Sequence, residues 1–350
     1  MQRRIWGDFG YIWGRDGQRM STHESFYRTF THLYDQFFPL SSAQVDTLVQ
    51  LLGNLRTRRV LDVGCGSGSV AIALRRRGWT VDGFDPSAEM IDLARRKAAA
   101  EGAQSAAAPR LEAPAGPEPP APPAPPPEAP RPATPGGGRF WVGRMEELAA
   151  WSVGAGGEDA GGESDDSRLQ ERVGGYDAVL CLGNTLAHAA DLAEVERICA
   201  AMRGVLRPPA VCIVQGIDFD HVVRERTSEL PHIEAAGYRF RRRYGAVDGS
   251  GRIPFSISIE PFAAADATPA AAPEPAPDGT PNAAPNAAPD GTMQTETRLL
   301  ALGERNVVAA LAAAGFDSVR RTGSLSGSGE TGGLELVVLA ELSAQDGASL

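Results

Sequence analysis

The 350-residue sequence predicts an α/β fold, a mostly parallel sheet crossed by helices, with a small antiparallel β subdomain inserted late in the chain. Three observations predict it. From residue 59 to 215, short apolar runs alternate with segments of helical period, the order from which right-handed crossover units are built. One such run, Arg59–Val63, passes directly into a glycine loop and then a helix. Beyond residue 237 the pattern changes to apolar/polar alternation, which suits half-buried antiparallel strands.

Composition divides the chain. Residues 103–138 hold thirteen of the 27 prolines, 263–292 hold seven more, and 153–174 are Gly-rich and acidic. These tracts lack the bulky apolar side chains that offset ordering entropy, so they are expected to be disordered or extended. The remainder suits one α/β domain with an attached subdomain. Residues 1–21 are expected to form an unordered extension, with Met20 a candidate later start. Residues 22–56 are read as a helical cover and 57–216 as the core. Residues 217–303 are read as a second cover, over the substrate, and 304–342 as the returning helix and last two strands.

The elements follow in order. Phe26, Tyr27, Phe30, Leu33, Tyr34 and Phe37 recur at helical spacing over 22–38, and Pro39 ends that helix. Ser41 or Ser42 is placed to cap a second helix over 43–55. After the strand 59–63, a helix at 69–77 closes at Gly78. A strand at 80–84 ends at Asp85, and a helix runs from Pro86 to about Glu101. Further strands are expected at 139–142, 176–182 and 210–215, with helices at 146–151 and 192–205 and a turn at Pro208-Pro209. Segments 238–247, 252–260 and 293–302 form the antiparallel insert, the first two joined by Asp248-Gly249-Ser250-Gly251. A helix at 305–314 and strands at 318–322 and 334–342 close the chain.

The formal net charge of -10 argues against a nucleic-acid-binding surface. Arg239, Arg241, Arg242 and Arg243 cluster locally and are read as a solvated strand face. Cys65, Cys181, Cys199 and Cys212 show no metal-ligand spacing, so no metal is expected, and a reduced cytoplasmic setting fits. No apolar run approaches the roughly 20 residues of a membrane span.

The chemistry concentrates at Asp62-Val63-Gly64-Cys65-Gly66-Ser67-Gly68. Glycines there let a ligand approach the main chain, and the following helix presents free N–H groups. A nucleotide-like ligand at the carboxyl edge of the sheet is implied. Dinucleotide sites use G-x-G-x-x-G/A; here Gly64 and Gly66 fit, but the third slot is Ser69. A carboxylate at Asp62 can hold the amino group of an amino-acid tail. Asp85, on the next strand tip, can accept both hydroxyls of a ribose.

Val60 to Gly68 resembles the first motif of class I S-adenosylmethionine-dependent methyltransferases, and Val81 to Met90 resembles their second. Cys181 to His188 is similar to the fourth-strand segment of the glycine N-methyltransferase-like branch. The likeness spans about residues 22–342 without the low-complexity tracts. It implies a Rossmann-like seven-stranded sheet in the order 3-2-1-4-5-7-6, and S-adenosylmethionine as cofactor. By the same resemblance Asp62, Gly64, Cys65, Gly66 and Gly68 surround the methionine moiety. Asp85 and Pro86 flank the ribose, and Met90 and Met145 pack at the adenine. Leu182 and Gly183 complete the wall. Arg144 stands where the family commonly has an acidic residue, leaving Glu146 as the substitute.

Methyl transfer needs alignment and exclusion of water more than acid–base chemistry. Three residues are candidates to line the reacting space. Asn184 follows the fourth strand, and His188, one turn on, is a candidate base. Tyr34, on the aromatic N-terminal helix, is placed to close over the cofactor. The usual Asn/Asp-Pro-Pro-Tyr/Phe of base-methylating enzymes is missing after the fourth strand, which favours a small-molecule acceptor over nucleic acid. An acceptor carboxylate would need a cation, for which Arg224, Arg226, Arg241, Arg243 and Arg298 are candidates. The competing readings are a non-catalytic S-adenosylmethionine-binding protein and an NAD(P)-dependent oxidoreductase.

Overall fold

The computed structural model describes residues 12–13, 19–20, 30–53, 55, 58–107, 137–152, 175–262, 291–326 and 333–344. Of the expected tracts 103–138, 153–174 and 263–292, residues 108–136, 153–174 and 263–290 lie outside the described residues, as does the start of the aromatic helix at 22–29; residues 103–107, expected to be disordered or extended, are instead helical. Of the expected N-terminal extension, Ile12–Trp13 and Arg19–Met20 are described, and they pair antiparallel.

The central sheet comprises β1 (Arg59–Val63), β2 (Thr80–Asp85), β3 (Phe140–Val142), β4 (Tyr176–Cys181) and β5 (Leu206–Ile217), completed by Ser318–Thr322 and Glu335–Leu342. Between β5 and that last pair the chain forms β6 (Glu229–Ala235), β7 (Tyr238–Tyr244), β8 (Arg252–Pro261) and β9 (Met293–Leu300). The closing strands Ser318–Thr322 and Glu335–Leu342 are therefore β10 and β11. The seven central strands lie in the order β3-β2-β1-β4-β5-β11-β10, with β11 antiparallel to both neighbours. That is the Rossmann-like topology the sequence implied.

Alternation along each strand fills two cores, as a pleated sheet covered on both faces requires. Leu61, Val179, Cys212 and Val338 face one core, which they share with Val195, Met202 and Leu311 from helices Leu192–Gly204 and Glu304–Ala313. Val60, Leu180, Ile213 and Val337 face the other, against Leu48, Ile72 and Ile91. Those three come from α2 (Ser42–Leu52), α3 (Ser69–Arg76) and α4 (Ala88–Ala107), with the single turn Tyr34–Phe37 as α1. Ser41 caps α2 in a reciprocal capping box with Gln44.

The inserted sheet, β9-β8-β7-β6, is antiparallel throughout. Its inner face buries Phe240, Ile257, Ile259 and Met293 against Phe30, Leu33 and Phe37 of the N-terminal segment, with Phe37 4.7 Å from Phe240 between ring centroids. The rest of that face meets Ala187, Phe219 and Val222. On the outer face, Arg241 and Arg243 pair with Glu229, and Arg239 pairs with Glu234.

Five details depart from the expected elements. Strand β6 and the helix Phe219–Arg224 were not expected. Pro231 interrupts β6, and prolines are tolerated at a sheet edge, where β6 lies. Pro208-Pro209 falls inside β5 rather than forming a turn, at the point where the register against β4 shifts. Helix α4 runs on to Ala107, six residues past its expected end at Glu101. Arg242 turns inward, away from the polar face, and donates to the carbonyl of Pro231 at 3.1 Å.

Candidate active site

The carboxyl ends of β1, β2 and β4 open onto a cavity of about 450 Å³. Its floor is the glycine loop. The N–H groups of Gly64 and Cys65 both donate to the carbonyl of Phe84, at 2.9 Å each, which ties the loop to β2. Gly66 and Gly68 both adopt positive φ, 52° and 73°, which favours glycine. Their surroundings differ. A Cβ on Gly68 would stand 2.8 Å from Ala94 and 3.0 Å from Phe140, so this glycine serves helix–strand packing. A Cβ on Gly66 would meet nothing nearer than the Tyr34 ring at 3.8 Å.

Asp62 and Asp85 end adjacent parallel strands. Asp85 accepts from the N–H of Gly66 at 3.0 Å and from that of Ser87 at 2.9 Å. Burial nevertheless raises its carboxyl to about 6, against the lowering effect of those two bonds. Asp62 is only 3% exposed, and among the described residues no group donates a hydrogen bond to its carboxylate. Burial, then the Asp85 charge, push it up to about 7. Such a group is costly to bury unpaired. Tyr34 is also raised, first by burial and then by Asp85, so its Oη keeps its proton across the physiological range.

Fourteen of the fifteen candidate residues either line this cavity or brace its loop. Tyr34, His188, Asp62, Gly64, Cys65, Gly66, Asp85, Pro86, Met90, Met145, Glu146, Leu182 and Gly183 all line it. Gly68 lies behind the loop. Asn184 is not among the lining residues. It sits at φ 68°, and its side-chain oxygen accepts from the N–H of Ile217 at 3.1 Å, bracing the β4–β5 edge. The candidate arginines Arg224, Arg226, Arg241, Arg243 and Arg298 do not line the cavity either. Arg224 bonds Glu225 and His221, and Arg298 bonds Asp248. The arginine that does reach the wall is Arg144, paired with Glu146 at 3.0 Å.

Sequence reasoning missed Gln215 and Thr185. Gln215 accepts from the N–H of Gly183 at 2.7 Å and donates to Glu335 at 3.1 Å, fixing the far wall. Thr185 packs beside Gly64, where a Cβ would stand 2.5 Å from its methyl. A glutamine at the end of an apolar strand was the available signal. Among the described residues no cluster could hold a metal ion.

With this geometry in view, residues 60–116 match the family described as a methyltransferase domain. An 80-residue stretch is 35% identical to a curated protein named as a methyltransferase of Geobacillus, covering 21% of this chain and 32% of that protein. A 56-residue stretch is 43% identical to a ubiquinone biosynthesis O-methyltransferase of Alkalilimnicola ehrlichii, covering 16% and 23%. The chain therefore spans about a third or less of the length of these curated relatives. Two solved structures align over most of the chain. One is an S-adenosylmethionine-dependent methyltransferase from Clostridium acetobutylicum, with TM-score 0.56 and 12% identity over 91% of this chain and 99% of that one. The other is the CcbJ methyltransferase of Streptomyces caelestis, with TM-score 0.56 and 16% identity over 92% and 98%. The fold is that of class I S-adenosylmethionine-dependent methyltransferases.

Proposed function

We propose that this protein is an S-adenosylmethionine-dependent methyltransferase acting on a small molecule. One observation carries the reading: two carboxylates on neighbouring strand tips, Asp62 buried and Asp85 half-buried, flank a glycine loop, and Asp62 has no donor of its own among the described residues. A ligand with an ammonium group and vicinal hydroxyls supplies what that pair lacks. Asp62 would take the amino group of the methionine tail. Asp85, already oriented by Gly66 and Ser87, would take the ribose hydroxyls. Pro86, Met90 and Met145 offer an apolar slot for adenine, with Glu146 at its rim.

When bound, the cofactor supplies a methyl group activated on a sulfonium. The protein's own residues then have three tasks. Tyr34 covers the loop and excludes water, and because its hydroxyl stays protonated it orients by donating a hydrogen bond rather than acting as a base. Gly183 presents open space, since a Cβ there would meet nothing within 4 Å, so an acceptor can approach the backbone. His188 lines the same cavity and can take a proton at a ring nitrogen where the acceptor must lose one. Leu182-Gly183-Asn184-Thr185 after β4, with no proline and no aromatic where base-methylating enzymes carry them, favours a small acceptor over nucleic acid. The resemblance of the Cys181–His188 segment supports the glycine N-methyltransferase-like branch. No helix among the described residues is long and apolar enough to cross a membrane. Free cysteines, three of them buried, fit a reducing cytoplasm.

Calorimetry with S-adenosylhomocysteine and with NADH tests the cofactor. Incubation with methyl-labelled S-adenosylmethionine and a panel of small amines and hydroxyl compounds tests turnover. The expected results are binding of the first ligand and label on a small molecule. Binding of NADH alone would overturn the methyltransferase reading in favour of a nicotinamide-binding protein. Tight binding with no transfer across the panel would favour a binding protein.

A further inference from the structure

The N-terminal segment that covers the cavity is held from two sides. Its aromatic side, Phe30 and Phe37, packs into the inserted sheet. Its polar side carries Asp35, on which three donors from three different places converge. Lys97 Nζ, from α4, reaches Oδ2 at 2.6 Å. Ser67 Oγ, in the glycine loop, reaches Oδ1 at 2.5 Å, and Ser69 Oγ, the first residue of α3, reaches it at 3.0 Å. Lys97 also donates to Ser69 at 2.7 Å and to Ser67 at 3.2 Å, so one ammonium ties together both serines and the carboxylate. Burial opposes ionisation of Asp35, but the hydrogen bonds from Lys97, Ser67 and Ser69 together with the Lys97 charge hold its carboxyl below the ordinary value.

The neighbouring residue is Tyr34, whose ring lies over Gly66 inside the cavity. Asp35 thus fastens the segment to the very loop that Tyr34 covers, through Ser67 and Ser69 at the cavity wall. Leu33, one residue earlier, is buried against the inserted sheet. A segment pinned at both flanks keeps little freedom for the ring between them.

We infer that Lys97, acting through Asp35, is a positioning residue that latches the N-terminal segment to the glycine loop and so keeps Tyr34 over the bound cofactor. The inference rests on the reading that this cavity takes S-adenosylmethionine. The latch slows departure of the cofactor and leaves the reacting atoms untouched. An ion pair of this kind, part-exposed but reinforced by hydroxyl donors, is expected to change affinity by about tenfold.

The test uses the full chain with S-adenosylhomocysteine as probe, measured by calorimetry and by stopped-flow dissociation. Lys97→Met and Asp35→Asn should each weaken binding about tenfold, mainly through faster dissociation, while Lys97→Arg stays near wild type. The exchanged pair Asp35→Lys with Lys97→Asp should recover most of the loss. In a Tyr34→Ala background, Lys97→Met should add less than about twofold, because the latch then has nothing to position. Lys97→Gln carries the same comparison should Lys97→Met not fold. Wild-type affinity in Lys97→Met, or an undiminished effect in the Tyr34→Ala background, overturns the latch and leaves the cofactor reading intact. A wild-type protein that does not bind the probe overturns both.

Discussion

The same sheet carries two pairs of aspartates and treats them oppositely. Asp82 and Asp177 lie in the amino-terminal halves of β2 and β4 and are filled with donors. Asp82 accepts from the N–H of Arg139 at 2.9 Å and from the Tyr176 hydroxyl at 3.1 Å. Asp177 accepts from the N–H of Arg59 at 3.0 Å and from the Arg207 guanidinium at 3.2 Å. Asp62, buried, and Asp85, half-buried, stand at the carboxyl ends of β1 and β2, where they face a cavity; among the described residues the pair receives only two backbone donors, both on Asp85. The first pair completes the structure of the chain by itself. The second needs something the chain does not contain, and that difference separates a structural carboxylate from a binding one.

The pair at the cavity gives the largest expected effect. From pH 8 down to pH 5, Asp62 protonates near 7 and Asp85 near 6, so affinity for S-adenosylhomocysteine should fall by roughly tenfold to a hundredfold in calorimetry. A flat profile would break the comparison. Asp85→Ala at pH 8 should cost about 1.5–3 kcal/mol of binding, the scale of lost charge-assisted hydrogen bonds. The donor-filled pair should behave the other way. Asp82→Ala should lower unfolding free energy by about 1–3 kcal/mol, because it removes the acceptor of the Tyr176 hydroxyl and the Arg139 N–H, and leave affinity within about twofold. Chemical denaturation beside calorimetry reads both.

The smallest effect has the opposite sign. The folded carboxyl of Asp62 lies above its ordinary value of 3.8, so the folded state holds that proton more tightly than the unfolded chain. Without ligand, this group's contribution to stability is therefore lost as pH rises from about 4 through about 7. Asp62→Asn should stabilise the ligand-free protein at pH 8 by on the order of 1 kcal/mol while abolishing the gain in melting temperature that ligand brings. A destabilised Asp62→Asn protein would show that Asp62 is a structural carboxylate after all.

How much of this was legible before the fold was known depended on where the determining contacts lie. The glycine loop, Asp62 and Asp85 were legible because a strand, a turn and a helix meet within one short stretch, and each residue type has its own local physical reason. The strand order was implied by motif resemblance. Gln215 and Lys97 were not legible. Gln215 meets Gly183 across 32 residues, and Lys97 meets Asp35 across 62, so no local pattern records either contact. Asn184 was misleading for a related reason: its position after β4 suggested the reacting space, but its amide is taken up by Ile217. Strand β6 was hidden by Pro231 and its charges, which an edge position tolerates and an interior position would not.

Among the described residues the central sheet ends at β3 and β10, and unpaired backbone groups at such margins ordinarily invite another chain to add itself. One margin, β3, is three residues long. The other, β10, carries Arg320 toward solvent in a pair with Glu341, and Arg321 beside it binds Asp218 and Glu304. A template so short on one side and so charged on the other makes a poor seed for strand addition, which favours a protein that can be concentrated without its sheets joining edge to edge.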